Sequence, residues 1–90
     1  SVVDFVDLPN GYSLRRITVP KEWDAKTLTE LNLLKEKRLN LVQIHRRVAA
    51  AEDGTEPSIA KIPLPGGAEV LYAGDLIDVV GADRELAKFD

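Results

Sequence analysis

The ninety-residue chain contains no cysteine and no methionine, and only one histidine and one tryptophan. The absence of cysteine excludes disulfides, thiolate catalysis and cysteine-ligated metal sites. A single histidine, His45, cannot build a histidine-rich metal centre. Aromatic residues are scarce, with one Trp, two Tyr and two Phe, so the core has to be made of Leu, Ile and Val. No apolar run approaches the ~18 residues of a membrane span, which argues against direct membrane insertion. No signal peptide is visible. An excess of positive charge is also missing. Twelve Lys and Arg stand against fifteen Asp and Glu, a formal net charge of −3. General nucleic-acid binding usually needs a basic face and is disfavoured, although one small basic pocket remains compatible with this balance.

What is present is an ordinary soluble composition, 44% hydrophobic, in a length that makes one domain. A chain this short buries about 60–65% of the surface its unfolded form exposes, so the core is modest. The chain begins at Ser1 and lacks Met throughout. It reads as a piece of a longer protein whose function belongs to a larger assembly.

Residues 1–9 are apolar with two Asp, and read either as the end of an upstream helix or as an edge segment; 1–11 is expected to be a linker or the end of an upstream element. Asn10-Gly11 is a turn signal. Residues 12–19 suit a strand, with Leu14, Arg16 and Thr18 alternating against Arg15, Ile17 and Val19, and Pro20 ends it. Thr27 to Glu30 form a capping box ahead of a helix whose inner stripe is Leu28, Leu31 and Leu34. Lys35, Lys37 and Arg38 complement the C-terminal pole of that helix.

Residues 39–48 form a second strand, apolar on both faces at its start and therefore central. Strict alternation points Leu39 and Leu41 one way and Val42, Ile44, Arg46 and Val48 the other. Residues 49–58 form an exposed connection with turn signals at Asp53-Gly54 and Pro57. A short strand at 59–65 is interrupted by Pro63. Residues 68–75 and 76–82 read as two strands joined in a hairpin by a Gly74-Asp75 turn. Asp83 is expected to N-cap a last helix with Leu86 and Phe89 on its inner face. The order β-α-β-β-β-β-α makes an α+β domain, a small mostly antiparallel sheet with two helices, over residues 12–90.

Three stretches in this order, TVPKEWDAKTLTEL, LNLVQIHRR and AGDLIDVVGADRELAKF, resemble the C-terminal domain of the RCK family, also called TrkA-C. The matching features are Val19-Pro20, Lys26 to Leu31, Asn40 to Arg46, Gly74-Asp75 and Val80-Gly81, and together they cover about residues 12–89. The segment from Val48 to Gly67 is longer than in many family members, and no Gly-rich nucleotide fingerprint precedes the domain.

The resemblance implies a cytoplasmic regulatory domain, associated with a potassium channel, a Trk/Ktr-type uptake system or a cation antiporter. It also implies homodimers paired through their sheets. In some members a small anionic ligand such as cyclic di-AMP binds at the dimer interface.

On that expectation His45, Arg46 and Arg47 read as an anion clamp. Residues near a twofold axis meet their own copies, and two guanidinium groups repel unless an anion lies between them. The planar fork of arginine suits phosphate. The candidate ligand-binding residues are therefore Leu41, Val42 and Ile44, as an apolar floor, with Arg46 and Arg47. The bland alternative pairs the arginines with Asp or Glu of the domain itself. His45 reads as a half-buried spacer, and Asp78 as solvent-facing or paired with an arginine. Trp23 is expected to cover one end of the core.

No catalytic constellation is present, and no enzyme activity is expected: no nucleophile has a plausible base. No metal ligands are assigned. Asp4, Asp7 and Asp24, or Glu52, Asp53 and Glu56, lack EF-hand spacing. The functional expectation is a regulatory ligand-binding and dimerisation domain; its alternative is a ligand-free element that holds transporter or channel subunits together.

Overall fold

The computed structural model describes residues 5–89. Seven strands form two sheets. Strands β1 (Phe5–Leu8), β2 (Tyr12–Thr18), β4 (Leu39–Val48), β5 (Ser58–Pro63) and β7 (Leu76–Ala82) make a five-stranded sheet of order β1-β2-β7-β4-β5. Every pairing in it is antiparallel. A two-stranded sheet joins β3 (Lys26–Thr27) to β6 (Val70–Leu71). Three short α-helices lie among the described residues, α1 (Leu28–Leu31), α2 (Leu33–Lys37) and α3 (Asp83–Leu86), with 3-10 turns at Pro9–Gly11, Lys21–Trp23 and Ala87–Phe89. None of the described helices is long and apolar enough to cross a membrane.

Of the two readings of residues 1–9, the edge segment holds for Phe5–Leu8, which is the edge strand of the main sheet, registered against β2 from Phe5↔Arg15 to Leu8↔Tyr12. Residues 1–4 lie outside the described residues, as does Asp90.

The first helix is built as its sequence dictates. The Thr27 side chain accepts from the Glu30 amide at 3.1 Å, and Glu30 Oε1 accepts from the Thr27 amide at 2.8 Å, satisfying two of the donors that a helix start leaves open. The helix does not continue to Arg38. Asn32 adopts the left-handed conformation (φ 48°, ψ 52°) and splits it into α1 and α2. The break resets the helical phase, so the expected stripe fails at its third member. Leu34 is 56% exposed, whereas Leu33 is 6% exposed and joins the core.

In β4 the alternation is broken once. The register on β7 runs Leu41↔Val79 and then Gln43↔Asp78, leaving Val42 as the extra residue of a β-bulge. A bulge shifts every later side chain to the opposite face from the one strict alternation gives. Leu39, Leu41, Ile44 and Arg46 therefore share the inner side, while Gln43, His45 and Arg47 lie on the outer face. The expected opposition of Leu41 to Ile44 is corrected by this one residue.

The hairpin expected across Gly74-Asp75 is also absent. β6 pairs with β3, and β7 pairs with β2 and β4. Gly74 still takes a positive φ of 92°, a turn conformation that costs glycine little. The turn is tied to β2 instead: Val19 N–H donates to the Asp75 carbonyl at 2.8 Å and Gly74 N–H to the Val19 carbonyl at 3.1 Å.

The core lies between the inner face of the main sheet and the helical layer. It comprises Ile17, Val19, Trp23, Leu33, Leu39, Ile44, Leu71, Ile77, Val79 and Leu86. Trp23 closes one end against Phe89, with ring centroids 5.4 Å apart in an edge-on arrangement. Asp83 is the first residue of α3 rather than its cap; its carboxylate accepts from the buried Ser13 hydroxyl at 2.6 Å and so ties α3 to β2.

Candidate functional site

The end of β4 enters a cleft that also takes in β5, the start of β7 and the turn at Tyr72–Asp75. The cleft has a volume of about 880 Å³, within the range of small-molecule sites. Four basic side chains line it, Arg16, Arg46, Arg47 and Lys61, together with His45.

Arg46 is fully engaged inside the domain. Its Nε donates to both Asp75 oxygens at 3.2 Å, and its Nη2 donates to Asp75 Oδ2 at 2.8 Å and to the Val70 carbonyl at 2.7 Å. Glu69 lies 3.9 Å from Nη1, and the Tyr72 ring stacks over the guanidinium with its centroid 4.9 Å away. The Tyr72 amide also donates to Asp75 at 3.0 Å. The Asp75 hydrogen bonds push the guanidinium above its ordinary value, more than offsetting partial burial. Arg46 thus staples β4 to β6 and to the head of β7. The bland reading of this arginine is the one its geometry supports.

A second network covers the outer face. Asp78 accepts from Arg16 Nε at 2.8 Å and lies 2.7 Å from His45 Nε2. Because a carboxylate only accepts, His45 Nε2 carries the hydrogen. Gln43 Nε2 is 3.4 Å from the same Asp78 oxygen. Burial raises the Asp78 carboxyl, but the hydrogen bonds from Arg16 and His45 outweigh it and hold the group below the usual carboxylate range. Asp78 is thus the arginine-paired alternative and not a solvated residue.

That leaves Arg47 and Lys61. Arg47 sits opposite Ile59, and Lys61 opposite His45, in the β4–β5 register. Both are exposed, lie on one face, and make no ion pair among the described residues. Two uncompensated cations over an open cleft attract an anion, and a phosphate suits the arginine fork.

The five sequence-selected residues therefore separate. Arg47 lines the cleft. Arg46 reaches it with its charge already matched. Ile44 is completely buried, and Leu41 is partly buried and packs against the core; neither lines the cleft. Val42 occupies the bulge, its carbonyl accepting from the Leu64 amide at 2.7 Å. Lys61, Arg16 and Tyr72, outside the sequence cluster, line the cleft as well. The alternation in SIAKIP puts Ile59 and Lys61 on one face, but their position beside His45 depends on a register that the 49–57 connection does not reveal.

The fold is similar to a crystal structure described as that of the GsuK RCK domain, with a TM-score of 0.61 at 21% sequence identity. The likeness covers 89% of this chain and 16% of that one. No protein-family model and no curated protein matches the sequence. The α+β architecture expected from the resemblance, that of an RCK C-terminal domain, is the one this chain adopts.

Proposed function

We propose that this chain is a cytoplasmic regulatory domain of a potassium or other cation transport protein, and that it binds a small anionic ligand in the cleft beneath Arg47 and Lys61. The fold supports the first part by its likeness to an RCK domain. The observation that carries the second is the pair of uncompensated cations on one face of the β4–β5 ribbon. A cyclic dinucleotide such as cyclic di-AMP has the required chemistry, with two phosphodiesters for two basic groups. Tyr72 and Ile59, exposed at the cleft, offer apolar surface for its bases.

Pairing of two copies across the outer sheet face would double the site about a twofold axis. A ligand that favours one arrangement of the protomers then shifts the population by its differential affinity. The test is calorimetric titration of the chain with cyclic di-AMP, repeated with Arg47→Ala plus Lys61→Ala. Binding weakened at least about tenfold, a change of roughly 1.4 kcal/mol, is expected in the variant. Equal affinity for both proteins removes these residues from the site.

One observation favours a second reading. Val6, Leu8, Tyr12 and Leu76 expose large apolar groups on the outer face, and an apolar face suffices for a ligand-free assembly element. Light scattering on the eluting chain combined with the titration separates the two readings: a dimer that binds no anion is the assembly element.

A further inference from the structure

We infer that Tyr72 makes the cleft selective: it stacks on a planar ring carried by the anion, so the ligand class is a nucleotide and not an inorganic phosphate or a sugar phosphate. The inference rests on the anion reading above and adds the ligand class and the residue that sets it.

Size gives the first reason. The cleft has a volume of about 880 Å³, near the top of the range for small-molecule sites, whereas Arg47 and Lys61 engage only the charged part of an occupant. Tyr72 lines the same cleft and is 45% exposed. Its backbone is held on several sides. Its amide donates to Asp75 Oδ2 at 3.0 Å, and its carbonyl accepts from the Asp75 amide at 3.0 Å. The Ala73 amide donates to Asp24 at 2.8 Å and the Gly74 amide to the Val19 carbonyl at 3.1 Å.

The ring is set as firmly as its backbone. One face lies against the Arg46 guanidinium, 4.9 Å from the centroid, and Arg46 is anchored in turn by Asp75 and the Val70 carbonyl. The aromatic wall thus stands before a ligand arrives, which lowers the ordering cost of binding. A cation on one face also draws negative charge from the π-system, so the opposite face resists a stacked ring less and holds a second cation less well. A base on that opposite face, with its phosphate against Arg47 and Lys61, uses both the aromatic and the basic walls. Tyr72 also borders a smaller cavity of about 380 Å³, where Glu69 lies 3.9 Å from Arg46 Nη1. That carboxylate repels a phosphate, so the ligand belongs on the Arg47 side.

The experiment titrates the intact chain with cyclic di-AMP, AMP and ribose 5-phosphate by nuclear magnetic resonance. The last two carry the same phosphate and differ by the base. One base–aromatic stack corresponds to about a five- to hundredfold gain in affinity. AMP should bind tighter than ribose 5-phosphate by that factor, with Overhauser contacts between adenine protons and the Tyr72 ring. Tyr72→Leu leaves Arg46 its bonds to Asp75 and Val70, so the fold should stand. It should bring AMP down to the level of ribose 5-phosphate, weaken cyclic di-AMP and leave ribose 5-phosphate unchanged. Tyr72→Phe should keep the preference. A wild type that binds AMP no tighter than ribose 5-phosphate overturns the inference while cyclic di-AMP binding leaves the anion site standing. A preference that survives in Tyr72→Leu, or an equal loss for AMP and ribose 5-phosphate in that variant, also overturns it. So do adenine contacts that avoid the Tyr72 ring, a result that needs no variant. Binding of none of the three ligands removes both readings.

Discussion

Replacing Arg46 with Ala tests whether this arginine serves the fold or the ligand. The substitution removes three hydrogen bonds of 2.8–3.2 Å to the Asp75 carboxylate and one of 2.7 Å to the Val70 carbonyl. Asp75, only 6% exposed, would keep the Tyr72 amide at 3.0 Å as its nearest donor. Removing one partner of a buried pair typically costs about 3–5 kcal/mol, because the other charge is left uncompensated. Arg46 is itself 24% exposed, so water enters the gap and the lower end applies, about 3 kcal/mol. For a domain of this size that corresponds to a fall in Tm of roughly 12–24 °C. Trp23, the only tryptophan and buried against Phe89, reports unfolding by fluorescence, with circular dichroism as a second probe. Arg47→Ala, from an exposed position without an ion pair, should change stability by no more than about 0.5 kcal/mol. An Arg46→Ala protein that melts within a few degrees of wild type would refute the staple. In a cycle with Asp75→Ala the two costs should be strongly non-additive; additive costs would mean that the pair is not coupled.

Two further substitutions probe the surrounding structure. The Asp78 carboxyl is held low in the folded state, so its contribution to stability is present above the unfolded value of about 3.9 and is lost as pH falls through the folded value. Asp78→Asn should therefore show a shallower acid loss than wild type below about pH 4, read from urea midpoints; identical slopes would mean that the Arg16–Asp78–His45 network contributes nothing. Gly81→Ala would place a methyl group 2.6 Å from Leu39 Cδ2 and 3.2 Å from the Arg38 carbonyl oxygen. The leucine tip can swing but the carbonyl gives little, so a loss of about 1–3 kcal/mol is expected in the same urea assay, and a neutral result would show that the β7–β4 contact is loose.

Much of the local structure was legible in the residues themselves. The Thr27–Glu30 capping box and the Gly74 turn follow from short-range chemistry and are found in the fold; Leu86 of α3 faces the core as expected, and Phe89 packs against it from the 3-10 turn that follows α3. Three things were not legible. Asn32 breaks the helix through a backbone conformation that composition does not announce. The bulge at Val42 exists only in the pairing with β7, yet it decides which face each later residue of β4 occupies. The partner of Arg46 lies twenty-nine positions away in sequence, and Lys61 joins the site only through the β4–β5 register. The sequence cluster marks the end of β4 that enters the cleft but does not distinguish the structural arginine from the exposed one. That distinction needs tertiary contacts, because fifteen acidic residues offer many partners for any cation.

The most direct measurement is a nitrogen–proton correlation titration of the labelled chain with cyclic di-AMP. Shifts should concentrate at residues 45–47, 59–61 and 72–76 and leave α1 and α2 unchanged. A spectrum that does not move, or one that moves around the helices and leaves Arg47 and Lys61 in place, would contradict the assignment of this cleft as an anion site.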